Sequence, residues 1–174
     1  HRESFGSDIS NKATYDAWGP HQQLISPSDR AEVYEDREAP DWPNSALHGS
    51  VITIFPHVSI ASFDADGKIY VMSQLFPGPD ADTSVTVQTF LAVGPVDDER
   101  LEAVEQITDF LEHVVRDEDY FTGNRIQRSV KTGAKQFLMF GRNEGGGQRF
   151  HRWVDALIDT PDDELASLFA AGID

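Results

Sequence analysis

The sequence predicts an α+β domain in which an antiparallel β-sheet packs against C-terminal helices. Two observations carry this. Between residues 51 and 93, apolar and β-branched runs alternate with Gly- and Pro-bearing turns, the two-residue period of strands. From Asp97 onward the apolar spacing changes to three and four residues, the period of helices. Strands first and helices after them favour an α+β arrangement over alternating βαβ units.

The elements follow in order. Residues 1–20 carry little apolar pattern and end on Trp18-Gly19-Pro20, a turn signal. Residues 21–26 alternate enough for a short strand, closed by Pro27. The acidic stretch 28–43, with Pro40 and Pro43, reads as an exposed loop. A β-branched strand over 51–55 stops at Pro56, and a second runs from Val58 to Phe63. Asp64-Ala65-Asp66-Gly67 then forms a hairpin turn, Gly67 supplying positive φ. Residues 68–75 make the next strand, turned by Pro77-Gly78-Pro79-Asp80. In the strand over 83–93, Val85, Val87, Thr89, Leu91 and Val93 share one side and are expected to be its half-buried face.

Asp97 and Asp98 are suitable N-caps for a helix through Leu101, Val104, Ile107, Leu111 and Val114. A break is expected near residues 116–119. A second helix follows through Phe121, Ile126 and Val130, with Gly133 as C-cap. Glu144 and Gly145 to Gly147 read as a flexible link. A third helix spans 148–158 through Phe150, Trp153, Val154 and Leu157, and Thr160-Pro161-Asp162-Asp163 caps a short final one. A sheet curled around a long helix would leave a cavity suited to an apolar ligand.

Composition narrows the function classes. The 174 residues suffice for one domain, here taken as 1–174. Thirty acidic against fourteen basic side chains give a net charge of −16, which repels phosphate backbones. Nucleic acid and anionic membranes are therefore not expected partners. With no cysteine there is no disulfide framework and no thiolate metal site. No apolar run approaches membrane-spanning length, and a cytoplasmic protein is expected. The opening His1-Arg2-Glu3-Ser4-Phe5-Gly6 is unlike a translation start and suggests a fragment of a longer chain, or His1 left from a tag.

Candidate chemistry is sparse. The run Asp117-Glu118-Asp119 is, on its own, most simply a solvated helix end. His21, His48, His57, His113 and His151 show no metal-ligand spacing, and Trp18, Trp42 and Trp153 read as core or interface anchors. Gly145 to Gly147 lack the strand-then-helix context of a phosphate loop. Ser4, Ser59 and Ser73 sit in no nucleophile elbow.

Several segments, in order, resemble the C-terminal part of the catalytic domain of Rieske-type non-heme iron ring-hydroxylating oxygenase alpha subunits. They are Gly19-Pro20-His21, Phe55-Pro56-His57 and Phe76-Pro77-Gly78-Pro79-Asp80. Val114-Val115-Arg116-Asp117-Glu118-Asp119, Ile126-Gln127-Arg128 and Phe150-His151-Arg152-Trp153-Val154 complete the series. Each is weakly specific; their order and spacing carry the likeness across nearly the whole chain.

The resemblance implies a helix-grip fold of the START-like, Bet v 1-like class. It also implies a mononuclear ferrous iron held by two histidines and a carboxylate, which leaves positions open for dioxygen and substrate. In the family an acidic pair precedes a Gln by eight residues, matched here by Glu118-Asp119 and Gln127. By that match Asp119 is the carboxylate ligand, expected at a helix start, and His1 the second histidine. The first histidine has no counterpart in this chain. The Rieske two-iron, two-sulfur cluster belongs to an N-terminal part outside it, so the chain alone is expected to be inactive.

Ferredoxin or reductase would supply electrons to the intact enzyme, and the family suggests a homotrimer. The substrate expected is a small apolar or aromatic molecule, lodged against Val115, one turn from Asp119, then Leu111, with Val71 and Ser73 on a facing strand. Two rivals use the same fold: a metal-free START-like module for a hydrophobic ligand, and a non-catalytic partner subunit of an oxygenase.

Overall fold

A computed structural model of the chain describes residues 14–25, 50–64, 67–134 and 137–173. Its centre is a six-stranded antiparallel sheet whose strands lie in chain order. They are β1 (Thr14–Trp18), β2 (His21–Ile25), β3 (Ser50–Ile54), β4 (Val58–Asp64), β5 (Lys68–Pro77) and β6 (Ser84–Ala92). Helices follow: α1 (Asp98–Val114), a π-helical segment (Val115–Tyr120), α2 (Phe121–Val130), α3 (Gly145–Asp159), a 3₁₀ turn (Asp162–Glu164) and α4 (Leu165–Ala171). This is the α+β architecture expected. His1, Ser4, Trp42, His48 and the expected loop over 28–43 lie outside the described residues.

The β4–β5 hairpin turns where expected, with Gly67 at φ 120°. Its register pairs Asp64 with Lys68 and Val58 with Gln74. The next register sets Ser73 opposite Gln88 and Leu75 opposite Thr86. Alternation from Ile69 then puts Ile69, Val71, Ser73 and Leu75 on one face of β5. That face meets α1: Ile69, Val71 and Leu111 form the buried core, with Phe63, Phe90, Ala103, Val104 and Ile107 packed around it. The long helix therefore lies across β4, β5 and β6, the helix-grip arrangement.

Arg100 fixes where that helix begins. Asp97 caps it, its Oδ1 accepting from the Arg100 N–H at 3.0 Å. The buried guanidinium donates to the Pro95 carbonyl at 2.6 Å and reaches the Lys68 carbonyl at 3.4 Å. One side chain so ties the helix start to the end of the β4–β5 hairpin. Gly67 faces it, and a Cβ there would sit 3.0 Å from an Arg100 terminal nitrogen.

Residues 1–20, which carry little apolar pattern, nonetheless hold β1 at Thr14–Trp18, paired with β2 across the Gly19-Pro20 turn. Three expectations need correction. In β6 the apolar file lies on the face away from α1: Val85, Val87 and Leu91 are 54%, 46% and 50% exposed. The face turned to the helix carries Thr86, Gln88 and Phe90 instead.

The break near residues 116–119 is no break. The chain continues through the π-helical segment with Val114, Val115, Tyr120 and Phe121 all in right-handed helical geometry. Gly145 to Gly147, expected as a flexible link, form the first turn of α3. Glycine there allows close approach: a Cβ on Gly146 would lie 2.8 Å from Gln22 Oε1, and one on Gly147 2.7 Å from Phe140 Cε1.

Helix α3 is held at both ends. Arg149 grips the Gly19 carbonyl with Nε and Nη2 at 3.0 and 2.7 Å. Phe150 meets Phe55 at 5.1 Å between ring centroids. Trp153 is fully buried and stacks on Phe169 of α4 at 5.5 Å and 16°. No helix among the described residues is long and apolar enough to cross a membrane.

Candidate active site

Where α1 passes into the π-helical segment, a half-open groove of about 240 Å³ separates it from β6. Its walls are Thr86 and Gln88 from β6, Glu112 from α1, and Val115, Arg116 and Tyr120 from the π-segment. A π-helix joins each residue to the one five positions on, and such segments recur at functional sites. Here that spacing brings Val115 and Tyr120 to the same groove, where α-helical spacing would align Val115 with Asp119.

Two hydrogen bonds build the β6 wall. Gln88 Nε2 donates to Ser73 Oγ at 3.2 Å across the β5–β6 pair. The Tyr120 hydroxyl donates to Thr86 Oγ1, tying the helix to the strand. A second brace lies further along α2. Gln127 Nε2 donates to Asp82 Oδ1 at 3.1 Å, and Lys131 Nζ pairs with Asp82 at the β5–β6 turn. Those two cationic and amide donors hold the Asp82 carboxyl below the usual carboxylate range.

The helical wall is charged but internally compensated. Arg116 Nη1 meets Glu112 at 3.0 Å, while its Nε and Nη2 meet Asp117 at 3.1 and 3.0 Å. The paired carboxylates raise the Arg116 pKa, Asp117 contributing most. His113 Nδ1 lies 2.8 Å from Asp117 Oδ2, the oxygen that also accepts from Arg116 Nη2. Two carboxylates facing one guanidinium leave this wall with an excess of negative charge.

Asp119 stands one residue before Tyr120, exposed to solvent and outside the groove's lining. It sits inside a continuous helix, so the free N–H groups expected at a helix start are not there to hold it ionised. Partial desolvation, and then the neighbouring Glu118 charge, push its carboxyl above the ordinary range.

Of the other residues singled out by sequence, Val115 lines the groove. Leu111 and Val71 are buried in the core beneath it, 6% and 3% exposed. Ser73 is half-buried and reaches the groove through Gln88. His1 lies outside the described residues.

The remaining histidines make separate local contacts. His21 Nδ1 accepts from the Phe55 N–H at 3.2 Å. His57 meets Phe76 at 5.6 Å, and His151 lies between Phe140 and Phe150 at 5.2 and 5.7 Å. Among the described residues no three His, Cys, Asp or Glu side chains group as metal ligands. Asp119 alone supplies one carboxylate of such a set, and the histidines that would complete it lie outside the described residues.

Sequence reasoning missed Thr86, Gln88 and Tyr120. The available signal was the polar pair Thr86 and Gln88 alternating with valines, which places two hydrogen-bonding groups on one strand face.

A profile of the ring hydroxylating alpha subunit (catalytic domain) family matches residues 1–160. No curated protein and no solved structure matches the chain.

Proposed function

The chain belongs to the ring hydroxylating alpha subunit (catalytic domain) family, and from that premise we propose that it is the C-terminal portion, 1–174, of a Rieske-type non-heme iron oxygenase. The enzyme hydroxylates an aromatic or hydrophobic substrate with dioxygen. The observation that carries this reading is a family match over residues 1–160 together with a groove beside the acidic segment the resemblance singles out.

In this reading Asp119 and His1 are iron ligands, completed by a histidine outside this chain. Val115 forms the apolar wall for the ring, over the packed Leu111 and Val71, and Ser73 orients Gln88. The Tyr120–Thr86 bond holds the helical segment bearing Asp119 against β6. The Gln127–Asp82 contact fixes the following helix. These residues set the position of the carboxylate relative to the groove. Electrons come from ferredoxin or a reductase through a Rieske cluster carried upstream, in a cytoplasmic homotrimer.

Anaerobic titration with ferrous iron tests the ligand assignment. Iron uptake by the chain is expected to weaken at least about tenfold in Asp119→Ala, since even loss of a group that only supports a ligand costs about that much, and to persist in Glu118→Ala. Equal uptake by all three proteins would refute the assignment of Asp119.

A further inference from the structure

Most of the groove's surface is apolar, but its strand wall carries polar groups that a hydrocarbon could not satisfy. Val115 supplies its one aliphatic side chain, whereas Thr86, Gln88 and Tyr120 bring polar groups to the same space. Their existing bonds determine what each still offers. Gln88 uses an amide proton on Ser73, and its amide oxygen has no hydrogen-bond partner among the described residues. Thr86 accepts from Tyr120, so the Thr86 hydroxyl proton remains available to donate. One strand wall thus presents an acceptor and a donor two residues apart.

Charge narrows the ligand further. Arg116, the cation of the groove, is engaged by Glu112 and Asp117 on all three guanidinium nitrogens. Its charge is outweighed by these two carboxylates, so the wall repels a further one. An unsubstituted hydrocarbon would instead cover the remaining Gln88 amide oxygen and Thr86 hydroxyl proton without pairing them, which costs affinity.

We propose that the groove selects a neutral aromatic molecule bearing a hydrogen-bonding substituent, such as a phenolic hydroxyl or an amide. The ring lies against Val115 and the substituent bridges Gln88 Oε1 and Thr86 Oγ1. This selects a substrate class for the site assigned under Proposed function and rests on that reading.

Binding of naphthol, naphthalene and naphthoate to the 174-residue chain at neutral pH tests it, followed by ligand-observed NMR without metal. Naphthol is expected to bind about three- to tenfold more tightly than naphthalene, the worth of one net hydrogen bond, and naphthoate more weakly than either. Gln88→Leu should reduce naphthol to the level of naphthalene. Should that variant not fold, Thr86→Val carries the same expectation, and Thr86→Ser should retain the preference.

Naphthalene or naphthoate binding as tightly as naphthol, no binding of any probe, or an unchanged preference in the folded variants would each overturn the proposal. Because this measurement needs neither iron nor turnover, its failure is separable from failure of the oxygenase reading, which the iron titration addresses.

Discussion

The Tyr120 hydroxyl donates to Thr86 Oγ1 across the groove, joining the π-helical segment of the long helix to the edge strand β6. Together with the Gln127 and Lys131 contacts to Asp82, it holds the acidic run in place relative to the groove.

Tyr120→Phe should separate anchoring from packing. The ring is retained and only the hydroxyl is lost, so global stability should fall by only about 0.5–1 kcal/mol, the worth of a half-exposed hydrogen bond. Local opening should respond more. Amide exchange at residues 115–120 is expected to accelerate relative to α1, and hydrogen-exchange mass spectrometry would read the difference. Unchanged exchange there would show that packing alone holds the segment.

Trp153 joins α3 to α4. It is fully buried and stacked on Phe169, while its indole N–H has no hydrogen-bond partner among the described residues. Trp153→Ala is expected to cost about 3–5 kcal/mol in denaturant unfolding. Trp153→Phe keeps the stack and removes the unsatisfied N–H, so it should cost less than about 1.5 kcal/mol.

Gly67 combines a left-handed backbone with contact against the Arg100 guanidinium. Gly67→Ala is strained by its φ and crowds the group that anchors the start of α1. A loss of about 1–3 kcal/mol is expected by equilibrium unfolding. Gly133→Ala shares the positive φ but meets nothing within 4 Å, so it should cost less.

Asp82 predicts a pH dependence with a definite sign. Its hydrogen bonds to Lys131 and Gln127 lower its pKa in the folded chain. The proton is thus held more tightly when the chain unfolds. The stabilisation is complete above the ordinary carboxylate pKa and is lost as pH falls through the depressed folded value. The Tm difference between the parent chain and Asp82→Asn should be small at neutral pH and vanish in acid. A difference that grows on acidification would contradict the assignment.

The strands were legible where turns announced them. Gly67 and the Pro77 to Asp80 turn delimit β5, and Asp97 marks the start of α1 by capping it. β1 was not legible because it is a short edge strand with Asp16 between Tyr15 and Ala17. The face of β6 was read the wrong way round for a physical reason. Alternation reports that two faces differ, and it assigns the apolar one to the core by default. Here the face against the helix carries Thr86 and Gln88 as the polar wall of a groove.

The π-segment left no local signal either, since Val115 to Tyr120 contains neither glycine nor proline. Its acidic side chains resembled a helix end. Glycines 145–147 misled in the opposite sense: they begin a helix, and Gly146 and Gly147 serve close contact with Gln22 and Phe140. Val115 was singled out through its one-turn spacing from Asp119, the ligand implied by the resemblance; Tyr120 required the π-helical spacing.

Isotope incorporation tests the central claim most directly. The full-length protein, supplied with ferredoxin, reductase and a naphthol substrate under oxygen-18 gas, is predicted to place the label in a hydroxylated ring product. The Asp119→Ala protein should yield none. Absence of labelled product from the parent enzyme with its iron–sulfur cluster reduced, or undiminished label in Asp119→Ala, would contradict the account.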